Sequence, residues 1–403
     1  MIELTNFRHG AVLNHHHGVE SERALTVRIE GVSSAGYPVY VNGARAEMDG
    51  QHFAAMADLT SKINTIKLQT TTPYGTYSQE AVLVWDKKSF KRYDFYIDDH
   101  SFLFTDLAQE RPKRAFDHFY LRGLKQIHDK YDFKVTLNCF YRNDHHDFEL
   151  KDMPDCWKSE FMDNADWLKF SFHGYSEFPD RPYLESTAEE FGHDWDLVQN
   201  EIIRFAGEIS YIPPVIIHWA NIHPVVTREM IRRGSRVYCG PMRPRVMGGP
   251  SLADRQKGGD MAAVQARSCA NQERDCYDSE ALMRHYGFAD EANYIKNHGV
   301  YFDPGLGIGI YGYCSTLGGC CCNLVPLEQI PVRVRHFLAR GSQAGLDIYH
   351  AGSHEQYTFA YYPNYLPDHL LRIEEAVRCF TQEGNCRAAF YNEGFFGNTA
   401  WEV

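Results

Sequence analysis

The sequence predicts an α/β protein in which a distorted (β/α) barrel of about seven strands follows a small all-β sandwich. Three observations carry that prediction. Residues 1–88 read as short strands separated by turn residues, with no helical period. From 89 to 403, strand-like runs alternate with helix-like ones, as parallel βαβ units require. Residues able to bind metal or move protons stand at the ends of several of these runs, where a parallel α/β barrel gathers its functional side chains.

A chain of 403 residues is long for one domain, so two domains are the natural expectation. With 53 acidic against 41 basic residues the formal net charge is -12. That balance argues against a nucleic-acid or anionic-membrane partner, because both need positive charge for phosphate contact. No apolar run reaches the roughly 20 residues a bilayer span needs. The start, Met1 to Arg8, lacks a basic segment followed by an apolar one, so a cytoplasmic location is expected, with secretion after trimming of a leader as the alternative. The 11 cysteines, an odd number, fit a reducing compartment better than a disulfide framework. Cys314 and the run Cys320-Cys321-Cys322 lack the spaced pairs of a zinc site and read as packed thiols.

The sandwich is read from Ala24–Ile29, Pro38–Val41, Asn64–Gln69 and Ala81–Trp85, with a hairpin at Asn42-Gly43. Its strand spacing is immunoglobulin-like. His15-His16-His17 reads as polar loop, a metal site being the other reading. The charged stretch Asp86 to Arg92 marks the boundary. Beyond it come the strand Tyr93–Ile97, a helix over Ala115–Tyr131, and the strands Lys134–Tyr141 and Leu168–Phe172. A helix around Leu197–Phe205 leads to a strand at Val215–His218, and a helix over Val226–Arg233 to a strand at Ser235–Cys239. The last units are helix Val334–Arg340 with strand Leu346–Tyr349, and helix Asp368–Thr381 with strand Arg387–Tyr391. A doubly wound open sheet is the rival architecture.

The strand ends carry Asp98-Asp99, His173, His218-Trp219, His350 with His354, and Asn392-Glu393. Adjacent carboxylates repel, and a cation is the usual means of keeping both ionised in a cleft. One can hold the ion while the other takes a proton from water. His173 and Glu177, four residues apart, converge on one ion if the chain turns helically after the strand. An acidic loop and a hydrogen-bonded core histidine are the plainer readings of the same residues.

Phe95-Tyr96-Ile97-Asp98-Asp99 resembles the first motif of the polysaccharide deacetylase family, a strand ending in paired aspartates. The resemblance implies Asp98 as catalytic base and Asp99 as metal ligand. His173-Gly174-Tyr175-Ser176-Glu177-Phe178-Pro179 is similar to the second motif, with Glu177 where the family has a second histidine. The family's arginine-proline motif is missing. At the comparable strand end His218 would orient Asp98 or join the metal, and Trp219 offers a face for a sugar ring. The family's late-strand general-acid histidine matches His354 or His350, with His354 preferred.

These readings lead to a divalent-metal-dependent carbohydrate hydrolase of deacetylase type. Its metal would be zinc, manganese, cobalt, nickel or iron, held by Asp99, His173, Glu177 and His218. Asp98 would be the base, His354 or His350 the acid, and Tyr175, Trp219 and Tyr357 would contact a saccharide. Two alternatives stand: a glycoside-cleaving enzyme pairing Asp98 with Glu393 or Glu355, and a non-catalytic saccharide-binding protein of the same descent. The sequence leaves the oligomeric state open, a homo-oligomer included. The stretch 240–299 reads as an insertion over the cleft or an interface.

Overall fold

The computed structural model describes residues 2–34, 36–220, 222, 224–239, 299–311 and 320–401. Cys314 and nearly all of the stretch 240–299 therefore lie outside the described residues. The N-terminal strands are β1 (Ile2–Leu4), β2 (Ala11–Leu13), β3 (Gly18–Glu20), β4 (Leu25–Ser33), β5 (Val39–Val41), β6 (Ala44–Arg45), β7 (Glu47–Asp49), β8 (His52–Leu59), β9 (Ile63–Thr72) and β10 (Gly75–Trp85). β1, β4, β8 and β7 form one antiparallel sheet, with β3 beside β4. Period-2 alternation sets its inner face: Leu25, Val27 and Ile29 are buried while Arg28 is exposed. They share a core with Val39, Val41, Ile66, Leu68, Leu83 and Trp85 of the facing strands. Each such burial is worth about 1.5–3 kcal/mol. The expected hairpin is present, with Asn42 at φ 50° and Gly43 at φ 84° joining β5 to β6.

The second layer of the sandwich does not end at residue 88. Its eight strands run in the order β16-β18-β17-β2-β10-β9-β5-β6, where β16 is Val237–Cys239, β17 Val300–Asp303 and β18 Ile308–Tyr311. The link is Tyr301 opposite Ala11, reinforced by the Phe302 N–H donating to the Gly10 carbonyl at 2.8 Å.

The remaining strands build a separate sheet. They are β11 (Arg92–His100), β12 (Val135–Phe140), β15 (Leu168–Gly174), β19 (Cys320–Cys321), β20 (Ile348–His354) and β21 (Arg387–Ala388). A short hairpin of β13 (Arg142–Asn143) and β14 (Phe148–Glu149) follows β12. The six strands lie in the order β15-β12-β11-β20-β19, with β21 also beside β11, and every pairing is parallel. Intervening helices are α1 (Phe102–Glu110), α2 (Phe119–Tyr131), α3 (Lys158–Asp163), α4 (Ala188–Ala206), α5 (Pro224–Arg232), α6 (Ile330–Gln343) and α7 (His369–Arg378). Tyr120, Leu121, Leu124, Ile127 and Tyr131 form the buried stripe of α2. Thr187 and Glu190 close a capping box that starts α4. Among the described residues no helix is long and apolar enough to cross a membrane.

Among the described residues the barrel expected from the alternation does not form. The sheet is mixed into a larger α/β assembly and stays open at β15. The expected strand at Val215–His218 is the point of failure. Pro213 and Pro214 have no N–H to donate, so β15 meets this segment through a single bridge, Phe170 to Tyr211. His218–Ala220 is a 3-10 turn, not a strand end. Beyond it, β16 pairs with β18 and so belongs to the other sheet.

Arg92 joins the two halves at the start of β11. Its guanidinium is fully buried, donates to both Asp86 oxygens at 3.1 and 3.0 Å, and donates to the Phe396 carbonyl at 2.6 Å. Asn398 donates to the same aspartate at 2.8 Å. Arg92→Ala leaves that carboxylate buried with its cation gone, and should destabilise by about 3–5 kcal/mol. Chemical denaturation of both proteins checks this.

Candidate metal centre

Asp98 and Asp99 end β11, and an ordinary strand would send their side chains to opposite faces. The backbone prevents that. Asp99 is in the left-handed region at φ 67°, and the β11–β12 register shifts between Ile97 and His100. The β12–β15 ladder also shifts, between Cys139 and Phe140, beside the end of β15. Phe140 thereby packs on both His173 and His218, with ring centroids 5.2 and 4.9 Å away. Gly174 matters for close approach: a Cβ there would lie 3.3 Å from the Phe140 ring and 3.5 Å from His218 Cβ.

Three ligand atoms converge as a result. Asp99 Oδ1 lies 3.2 Å from His173 Nε2 and 3.4 Å from His218 Nδ1, and the two nitrogens are 3.3 Å apart. A tetrahedral ion with ligands at about 2.0–2.1 Å holds them about 3.3–3.4 Å apart. Asp99 Oδ1 is buried with no hydrogen-bond partner, as expected of a ligand atom with no donor aimed at it. All three residues are buried, and the group can hold a metal ion.

Their surroundings set the protonation states a metal needs. His218 Nε2 is 2.9 Å from the Glu177 carbonyl, which can only accept, so Nε2 carries a proton. Burial disfavours the imidazolium, but Asp99 at Nδ1 outweighs it and raises the group, and a cation there would take the place of an Nδ1 proton. Burial holds the His173 imidazole down at about 4, keeping it neutral. Burial opposes charge on Asp99, but the His173 and His218 imidazoles beside it, with His354 beyond, outweigh it and hold the carboxyl well below the usual range. Gln356 donates to its other oxygen at 3.0 Å. Asp98 behaves oppositely. Burial first, and the Asp99 charge second, push it well above the carboxylate range, while Asn138 donates to its Oδ1 at 2.6 Å.

His354 lies directly opposite Asp98 in the parallel β11–β20 register. Its Nδ1 donates to Asn323 Oδ1 at 3.0 Å. His350 pairs with Asp94 instead, about 13 Å further down the strand at a rise of about 3.3 Å per residue. It is buried against Tyr311, ring centroids 4.1 Å apart, and burial holds it at about 3.

Glu177 does not join the group. It turns away to His145 Nε2 at 2.5 Å, on the β13–β14 hairpin. Tyr175 stacks on Tyr141 with centroids 5.6 Å apart. Arg181 sits over the Trp219 ring at 5.4 Å, so that face is already covered. Tyr357 lies 6.3 Å from His354 by ring centroid. Sequence reasoning missed Asn138, Gln356, Asn323 and His145. The first had a signal, an asparagine inside the apolar run of β12. Glu355 is committed to structure: its oxygens accept the N–H groups of Ser101, Phe102 and Leu103 at 2.7–2.9 Å, fixing the start of α1.

No family model and no curated protein matches the chain. Among solved structures, a chimeric titin Z1Z2-Z1Z2 tandem functionalized with a GRGDS peptide from fibronectin is similar over 24% of this chain and 56% of that one. At 11% identity and a TM-score of 0.16, this likeness decides neither fold nor activity. The chain spans just over half the length of that structure.

His173→Ala and His218→Ala should each weaken binding of an added divalent ion at this centre beyond the about 10–100-fold typical of outer partners. Glu177→Gln should keep it. Plasma mass spectrometry of the three purified variants checks the assignment.

Proposed function

We propose that the chain is a divalent-metal-dependent hydrolase acting on carbohydrate, of polysaccharide deacetylase type. The convergence of Asp99 Oδ1, His173 Nε2 and His218 Nδ1 next to a second buried aspartate carries this reading. Two imidazoles and one carboxylate suit zinc first, with manganese, cobalt, nickel and iron as further occupants. Such an ion supplies Lewis acidity that polarises an acyl carbonyl and acidifies water. Asp98, oriented by Asn138, would accept the proton of the attacking water once the charge of a bound cation keeps it ionised against burial and the neighbouring Asp99. His354, in register with Asp98 and donating from Nδ1 to Asn323, would act from its imidazolium form, giving the Nε2 proton to the departing amine or alcohol and regaining one from water. His218 stands where the resemblance left a gap. Of the two further ligands expected, His218 lies in the group and Glu177 does not.

Cleavage of a glycosidic bond would need a second free carboxyl beside Asp98. Glu355 is engaged by three backbone N–H groups, which weighs against that pairing.

Asp98→Asn should lower turnover of acetylated oligosaccharides by about 10²–10⁴-fold with the metal retained. Acetate release measured beside metal content is the test. Wild-type turnover in this variant would remove Asp98 from its role, and reducing ends without acetate would replace deacetylation by glycoside cleavage.

A further inference from the structure

The C-terminal end of α1 carries an arrangement that the centre above does not use. Asp106 and Glu110 stand four residues apart, hence on one face of the helix. His118, immediately before α2, faces them with Nε2 3.5 Å from Asp106 Oδ2. Ligand atoms of the three residues all lie within 4.8 Å of one another.

Two features make this arrangement costly as it stands. His118 is 3% exposed, yet neither ring nitrogen has a hydrogen-bond partner. A buried imidazole without partners forfeits on the order of 1–3 kcal/mol. The two carboxylates also sit at the negative end of the helix dipole, and no basic residue occupies its last turn. Among the described residues no lysine or arginine pairs with either of them. A cation among the three would relieve both faults at once.

The surroundings are those of a ligand set. Tyr361 donates from its hydroxyl to Asp106 Oδ1 at 2.7 Å, which leaves Oδ2 as the oxygen turned to His118. The 3.5 Å between Asp106 and His118 is close to the edge expected between ligands of a first-row ion. Glu110 is exposed, so its side chain can rotate to close the third position while water fills the rest.

We propose that Asp106, Glu110 and His118 form a second divalent-metal site, distinct from the Asp99–His173–His218 centre. One imidazole with two carboxylates favours a first-row transition ion such as Zn²⁺ or Mn²⁺ over Ca²⁺. The site would pin the end of α1 to the start of α2 and to the segment carrying Tyr361.

The test is a titration of the metal-stripped full chain with Zn²⁺ and with Mn²⁺, followed by calorimetry and by plasma mass spectrometry. The expected result is a second equivalent per chain that survives in His173→Ala. It should weaken by about tenfold or more in Glu110→Gln, an exposed and conservative change, and disappear in His118→Gln. A second equivalent unaffected by Glu110→Gln and His118→Gln would overturn the proposal. So would a His173→Ala protein that binds no ion, or Ca²⁺ binding as tightly as Zn²⁺ and Mn²⁺. Loss of the first equivalent alone bears on the centre at Asp99 and leaves this site standing.

Discussion

The structure is organised around two adjacent carboxylates buried at the end of one strand. Asp98 and Asp99 would diverge in a regular strand, and burying both on one side is opposed by desolvation and mutual repulsion. The left-handed backbone at Asp99 brings them together, at a strain of order 1–3 kcal/mol. Neighbouring groups then divide the pair into unlike members. Asp99 faces two imidazoles at 3.2 and 3.4 Å, whereas Asp98 takes a 2.6 Å hydrogen bond from an amide and has one imidazole nitrogen further off at 3.8 Å. One carboxyl is thereby held ionised and the other is made basic, which is the separation that acid–base work requires.

Three consecutive residues where β20 ends serve that pair in different ways. His354 lies beside Asp98 in register, Glu355 caps the helix that leaves β11, and Gln356 donates to Asp99. A single chain segment therefore fixes the position of β11, the start of α1 and the orientation of one carboxylate. The centre draws on strands β11, β12, β15 and β20, while His218, Gln356 and Asn323 come from short turns outside the strands.

Much of this was legible in the sequence, for reasons that differ by element. β4, β12, β15 and α2 carry strong periodicity, and the Asn42-Gly43 hairpin follows from the backbone demands of its turn. Asp99 and His173 stood out because metal-binding residue types stood at the ends of two of the strands, β11 and β15. The barrel was misread because the apolar run Val215-Ile216-Ile217 looks like a strand, while the two prolines before it remove the donors a ladder needs. Glu177 was misassigned for a related reason. Spacing of four suggests convergence on a helical face, but no helix follows β15, and the carboxylate reaches His145 instead. Asn138 and Gln356 act through contacts between distant segments, which local pattern does not report.

The eight-stranded sheet that runs from the N-terminal sandwich into β17, β18 and β16 has a bearing on how such a protein could be inherited or rebuilt. A cassette can be shuffled between proteins when cutting its linker exposes little. Here a cut after residue 88 would strip β17 of its neighbour β2 and take Asp86 away from Arg92. Both fragments would carry an unpaired strand edge, an invitation to self-association. The sandwich and the parallel sheet are therefore expected to travel through evolution as one unit, with change concentrated in loops and not at the seam.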